Sequence, residues 1–284
     1  LATTARNVTD ALENYRFSEV ARAVYDFTWS EFCDWYIEMA KGRLRDGEPG
    51  ASATGGRQTV QRVLVGVLDG ILKLVHPVMP FVAESIWQAL NEAAFERGLP
   101  DPDPAAESVM IAPWPQFPGE FLDAAMETRI ARMQELVRIV REVRNRYMID
   151  ARTPLDVVIR CSADLAADFR LLGTFIQLLA GVGRLDCGPS AAKPPQSATQ
   201  VNPEFEAYVS LKGLIDPAKE VQRLEKQRAD KTRQLESTRK KLDNADFAAR
   251  APKEAVEQQQ QLIVDLEQQI RLIDETIGDL KDST

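Results

Sequence analysis

From Phe17 to Lys41 the chain reads FSEVARAVYDFTWSEFCDWYIEMAK. Glu19, Arg22, Asp26, Ser30, Asp34 and Glu38 recur at steps of three or four and make one narrow polar stripe. The rest of the surface is apolar or aromatic: Val20, Val24, Phe27, Phe32, Trp35, Tyr36, Ile37. The pattern predicts a mostly helical segment over residues 8–45, buried on most sides in a bundle. Trp29 and Trp35 are read as core residues. After the loop RDGEPGASATGG, Val60, Leu64, Val67, Leu68, Ile71 and Leu74 predict a second helix over Gln58–Val75. HPVMP stops it, because proline lacks the amide hydrogen and biases its predecessor away from helix. A third helix is predicted over Phe81–Glu96, with Ile86, Trp87 and Leu90 inward. Residues 98–120 form a proline-rich connection that packs Trp114 onto the bundle. A fourth helix, over Asp123–Tyr147, carries the stripe Ile130, Met133, Val137, Val140 and Val143.

Past residue 150 the period changes. PLDVVIRC reads as a strand, ADLAADFRLLGTFIQLLAG as a helix stopped at Gly181 or Gly183, GRLDCG as a short strand and EFEAYVSLKG as another. PSAAKPPQSATQ between the last two reads as a flexible linker. From Asp216 the pattern changes again: Asp216 is a helix N-cap and Pro217 its first residue. Val221, Leu224, Arg228, Lys231, Leu235, Thr238 and Leu242 alternate by three and four, as do Val256, Gln259, Ile263, Leu266, Ile270, Ile273, Ile277 and Leu280. A single antiparallel register opposes Val221 to Ile277, Leu224 to Ile273, Leu235 to Ile263 and Leu242 to Val256, around a turn near residue 249. Arg228 and Lys231 then lay their aliphatic stems over Ile270 and Leu266, and Thr238 pairs with Gln259. In the turn, Asp243 and Asn244 end the first helix, Phe247 closes the tip and Pro252 opens the return helix. A parallel homodimer, the competing arrangement, stacks Arg228 on Arg228. The fold class is therefore mainly α: an antiparallel helix bundle over 1–150, a small α+β unit over 151–215 and an antiparallel coiled-coil hairpin over 216–284.

The chain has 284 residues, 44% hydrophobic and 27% charged, which suits a globular protein of about two domains. It holds no apolar run of about eighteen residues, so no membrane span is expected. It starts at Leu1 without a signal-peptide pattern, which suggests a piece of a longer protein. Cys33, Cys161 and Cys187 are isolated, which fits a reducing compartment. The net charge of -8 excludes a uniformly basic face, though not a local patch. From Lys219 to Asp243 nine basic side chains face five acidic ones, a net +4; from Glu254 onward two face eight, a net -6.

For catalysis the sequence is poor. His76, the single histidine, sits before Pro77 in the last turn of a helix and reads as a structural residue there. No glycine-rich phosphate loop and no nucleophile with its base occurs. No catalytic residue and no metal site is read. Nucleic-acid binding has better candidates. In RIVREVRNR they are Arg138, Arg141, Arg144 and Asn145, of which Arg138, Arg141 and Asn145 share a face; the competing reading is a solvated face paired with Glu135 and Glu142. In the hairpin they are Arg223, Arg233, Arg239, Lys240, Lys241, Arg250 and Lys253, the last five clustering at the tip, where a phosphate backbone could lie along the basic helix. The competing reading there is charge pairing between the two helices.

Several stretches carry a resemblance. FSEVARAVYDFTWSEFCDWYIEMAK resembles the first long helix of the anticodon-binding domain of valyl-tRNA synthetases. LKLVHPVMPFVAESIWQAL is similar to a signature shared with the isoleucyl and leucyl enzymes of class I, and IVREVRNRY to the arginine-rich helix that follows. SLKGLIDPAKEVQRLEKQ, KKLDNADFAARAPKEAVEQ and the last heptads resemble the coiled-coil arm of the valyl enzymes. The resemblance implies the C-terminal part of a ligase that joins valine to tRNA(Val), with ATP and Mg used in the parent enzyme. The family's two ATP-site signatures and its editing domain do not occur here, so this stretch is expected to be non-catalytic and to need no cofactor of its own. The bundle is expected to receive the anticodon stem-loop, and the arm the outer corner of the tRNA. The implied partner is tRNA(Val), with no DNA and no membrane, for a cytoplasmic monomer. A scaffolding or dimerisation rod, or an isoleucyl-type C-terminal region, are the alternatives.

Overall fold

A computed structural model describes residues 1–44, 56–242 and 253–281. It is mainly helical, with a small mixed sheet and a pair of long helices after it. The chain divides into two units, Leu1–Arg129 and Ile130–Thr284.

The first unit holds α1 (Ala2–Glu13), α2 (Phe17–Asp26), a π-helical stretch (Phe27–Ile37), α3 (Glu38–Leu44), α4 (Gly56–Val75) and α5 (Pro80–Ala93). Ala5, Val8, Ala11, Val20, Val24 and Leu74 form one core cluster, on which Trp114 and Phe117 of the proline-rich connection pack. Trp114 Nε1 donates to Thr9 Oγ1 at 2.8 Å, which ties the connection down. A second cluster gathers Leu72, Ala83, Trp87, Leu90 and Val109. There Trp87 Nε1 donates to the Ala106 carbonyl at 2.9 Å. The connection also folds a two-stranded antiparallel ribbon, β1 (Glu96–Arg97) and β2 (Asp103–Pro104).

Three expectations for this unit are corrected. The first segment breaks at Tyr15, whose φ of 57° lies in the left-handed region, and Asn14 Nδ2 donates to the Asp10 carbonyl at 2.8 Å. Beyond α2 the helix widens to the π form, a change of turn that no three-and-four pattern encodes. Burial is one-sided there: Phe32 is buried, but Trp29 is 54% exposed, so Trp29 is not core. On α5, Trp87 and Leu90 point inward, whereas Ile86 is exposed. Most of the loop after Leu44 lies outside the described residues.

α6 (Ala124–Arg146) contributes its residues from Ile130 onward to the second unit. Met133, Val137, Val140 and Val143 are buried as the stripe predicts, and Leu136 and Ile139 are buried beside them. The sheet has the order β4-β3-β6-β5, from β3 (Leu155–Cys161), β4 (Val182–Gly188), β5 (Ser197–Val201) and β6 (Phe205–Ser210). β3 and β4 are parallel, and the other two ladders are antiparallel. A parallel pair needs a crossover, supplied by α7 (Ala163–Leu171) and α8 (Gly173–Ala180). Leu155, Val157, Ile159 and Cys161 alternate inward along β3, and Phe169 of α7 meets Phe205 of β6 edge-on at 5.4 Å. The expected linker proves to contain β5. Ser197 and Ala198 are both buried, so SATQV shows no alternation; main-chain bonding to β6 defines the strand.

Arg144 joins these pieces. Its guanidinium is buried and donates to four carbonyls: Asp150 at 2.6 Å, Thr153 at 2.9 Å, and Ala180 and Gly181 at 3.1 Å each. Burial pulls its pKa below the usual value, and the Asp150 charge opposes that shift. Gly181 ends α8 at φ 65°, and a Cβ there would lie 2.8 Å from Arg144 Nη2.

The arm is α9 (Pro217–Leu242) and α10 (Lys253–Lys281), packed antiparallel. Asp216 Oδ1 accepts from the amides of Ala218 and Lys219 at 3.1 and 3.3 Å, and the Lys219 amide first of all holds its carboxyl below the usual range. Leu224, Leu235, Leu266, Ile273 and Ile277 are buried along the seam. Thr238 is buried too, but its hydroxyl donates to the Gln234 carbonyl at 2.9 Å rather than pairing with Gln259. A threonine in a helix reaches its own preceding turn more readily than a side chain on the next helix. Asp243, Asn244, Phe247 and Pro252 lie outside the described residues.

Replacing Arg144 with Met strands four carbonyls and should cost about 3–5 kcal/mol in urea unfolding of the chain. Lys at that position restores the charge without the planar fork and should recover only part of the loss. Leu266→Asp buries a charge in the seam; the amides of α9 and α10 should lose hydrogen-exchange protection while those of β3 and β6 keep theirs.

Candidate nucleic-acid interface

An interface for a polyanion needs cations that are not already spent. On α9 most are. Arg223 donates to Glu220 at 2.8 and 2.6 Å, and Arg233 to Asp230 at 3.3 Å. Across the seam Arg239 pairs with Glu267, Arg228 with Asp274 and Lys231 with Gln269. Arg228 is exposed, so its charge leaves the seam for an acid of α10.

Lys240 and Lys241 differ. Both are exposed, and neither has an acidic partner among the described residues. Among the α10 residues with described side chains near this end of α9 are Gln258 to Gln261, four neutral amides. With Arg233, Glu236 and Ser237, the two lysines line a shallow groove of about 400 Å³. These five recur at helical spacing and so share one face. Arg250 lies outside the described residues. Lys253 is the first residue of α10, and its side chain is likewise not described.

The arginine-rich helix α6 gives a different result from the one its sequence suggests. Arg144 is inside, spent on four carbonyls, and presents no guanidinium to a ligand. Arg141 Nε and Nη2 donate to the Leu179 carbonyl at 3.1 and 2.9 Å. Arg132, which the sequence did not single out, grips Glu204 with Nε at 3.0 Å and lies 3.7 Å from Asp168. Three arginines of α6 thus serve the α+β layer. Arg138 remains exposed in a pair with Glu135, and Asn145 is exposed. Of the candidates on this helix, Arg144 is buried, Arg141 is exposed but bonded to the Leu179 carbonyl, and Arg138 and Asn145 are exposed.

The first unit offers a surface that sequence reasoning missed. Tyr25 is 63% and Trp29 54% exposed, their rings 6.4 Å apart and tilted by 53°. Arg22 is exposed three residues before Tyr25. Tyr15 and Phe17, also exposed, meet edge to face at 6.3 Å. Rings and guanidinium planes open to solvent are what unstacked bases stack on. The signal was present: Tyr25 and Trp29 stand four residues apart and away from the face of Val20 and Val24. Two apolar faces competed for the core, and the valines took it.

Catalytic chemistry finds little here. Burial raises the thiols of Cys161 and Cys187 above their usual range. No group of three or more His, Cys, Asp or Glu that could hold a metal occurs among the described residues. His76 sits at the end of α4, its amide donating to the Leu72 carbonyl at 3.0 Å. None of the described helices is long and apolar enough to cross a membrane.

Two stretches of the chain match known families. Residues 1–159 match the anticodon-binding domain of tRNA ligases, and residues 216–281 the valyl-tRNA synthetase tRNA-binding arm. A valine–tRNA ligase of Rhodopirellula baltica is 33% identical over 279 residues, covering 98% of this chain and 26% of that protein. One from Thermotoga maritima is 36% identical over 281 residues, 98% of this chain and 29% of that protein. One from Lactiplantibacillus plantarum is 33% identical, covering 99% of this chain and 30% of that protein. The chain therefore spans less than a third of the length of these relatives. It belongs to the anticodon-binding family of tRNA ligases, in the valyl form that carries a tRNA-binding arm.

Proposed function

We infer that the chain is the tRNA-binding part of a valine–tRNA ligase, which joins valine to tRNA(Val) with ATP and Mg at a site outside these residues. The first unit takes the anticodon stem-loop, with bases stacking on Tyr25 and Trp29. Arg138 and Asn145 of α6 are further candidate contacts. The arm takes the outer corner of the tRNA, its phosphates lying along Arg233, Lys240 and Lys241, with Arg250 and Lys253 as further candidates from the sequence. The observation that carries this reading is the pair of exposed lysines with no acidic partner among the described residues, on an arm whose other cations are largely paired. Arg141, Arg144, Arg223 and Arg239 act through the fold more than through the ligand. The chain works as a cytoplasmic monomer, its arm seam being filled from within.

Binding of tRNA(Val) should weaken steeply with salt, as phosphate contacts release counterions. K240E/K241E should lower the salt slope by about two and weaken binding about tenfold or more, without changing the melting temperature. An unchanged affinity would leave the arm's charge as helix pairing alone. Trp29→Ala should cost about 1–3 kcal/mol of tRNA(Val) binding. The same loss for an isolated duplex RNA would argue against base stacking at Trp29.

A further inference from the structure

In the first unit, the Arg97 side chain is 1% exposed. Its Nε donates to Asp69 Oδ1 at 2.8 Å, and its Nη1 to the Ala94 carbonyl at 3.0 Å. Nη2 lies on the same edge of the guanidinium as Nε and is buried without an acceptor among the described residues. The second oxygen of Asp69 is taken by Lys73 Nζ at 2.7 Å. Two cations thus share one carboxylate, which leaves a surplus positive charge and spare N–H groups. Both lie over Trp87, Arg97 Cζ at 4.2 Å and Lys73 Nζ at 5.6 Å from the ring centre.

Asp69, Lys73, Trp87 and Arg97 line a cavity of about 470 Å³, a size typical of small-molecule sites. Leu99, Pro113 and Phe117 give it an apolar wall. Arg97 also borders a smaller cavity, of about 360 Å³, on the side of Ala94, where Nη1 is already spent. At the larger cavity, Asp103 stands directly opposite Arg97 in the β1–β2 ladder, so the two side chains leave the ribbon on the same face. Asp103 and its neighbour Asp101 are exposed, line the cavity and have no ion-pair partner among the described residues.

We propose that this cavity binds a small zwitterion, an α-amino acid with an apolar side chain. Its carboxylate accepts from Arg97 Nη2 and Lys73 Nζ, its ammonium donates to Asp103, and its side chain rests on the apolar wall. A simple anion satisfies the floor but meets two carboxylates at the rim. A simple cation meets the reverse. A molecule with both charged groups on one carbon answers both sets of unspent groups, and the apolar wall selects its third substituent.

The test is calorimetric titration of the full chain with L-leucine, isocaproate and isoamylamine, which share one branched carbon skeleton. Leucine should saturate with a Kd of about 1 mM, and each single-charge analogue should bind about tenfold or more weakly. Arg97 variants risk unfolding the unit through Asp69, so the decisive variant is Asp103→Asn, at an exposed side chain. It should weaken leucine about tenfold with an unchanged melting temperature, and should strengthen isocaproate, which then meets one rim carboxylate fewer. Three equal affinities, an unaffected Asp103→Asn, or no saturable binding of leucine would each overturn the proposal and leave Arg97 Nη2 to water.

Discussion

A guanidinium cannot shed its charge at physiological pH, and Arg144 keeps one away from water with carbonyl oxygens alone. The last turn of α6, the bend at Asp150–Thr153 and the end of α8 all converge on it. β3 begins two residues after Thr153 and β4 one residue after Gly181, and the Leu155 amide donates to the Gly181 carbonyl at 3.0 Å. One side chain therefore fixes where the two parallel strands start. The bulge between Leu155 and Asp156 shows how tightly the two starts are drawn together before the regular ladder takes over. Arg132 and Arg141 fasten the same helix at two further points along its length.

The arm obeys a different constraint. A two-helix seam buries a narrow stripe, so most side chains on either helix stay wet and must settle their charges with each other. The basic helix does this partly within itself, as Arg223 with Glu220, and partly across, as Arg228 with Asp274. Exposed pairs of this kind contribute little stability one by one. Their effect is to cancel charge along most of the arm, whereas Lys240 and Lys241, near the glutamine run, have no acidic partner among the described residues.

The architecture was largely legible. Long periodic stretches gave α4, α6, α9 and α10, Val and Ile content gave β3, EFEAYVSLKG was read as the strand that proves to be β6, and Asp216 and Gly181 marked ends where the structure has them. What was hidden shares a cause. β5 is held by main-chain bonds that do not depend on side-chain pattern. The π-helical turn needs a count that spacing by three and four does not supply. The surface was harder than the core, because a sequence shows that an arginine is present but not what it is bonded to. Arg141 and Arg144 are indistinguishable from Arg138 in RIVREVRNR, yet two of them are tied to carbonyls. The exposed aromatics were hidden in the same way: hydrophobicity says that a side chain gains by burial, and Val20 and Val24 occupied the space that Trp29 was expected to fill.

The arm leaves the sheet unit beyond Gly213 and its return helix buries Thr276 and Ile277 near the start of α9. Both ends of the excursion therefore sit side by side at its base. Such an element can change length in evolution without disturbing what it grows from, provided that residues are gained or lost in matched heptads, one on each helix. An unmatched gain on either helix would shift every opposed pair along the seam. Reach is then a quantity that can be tuned in steps of about 10 Å, the rise of one heptad, while the rest of the molecule stays as it is.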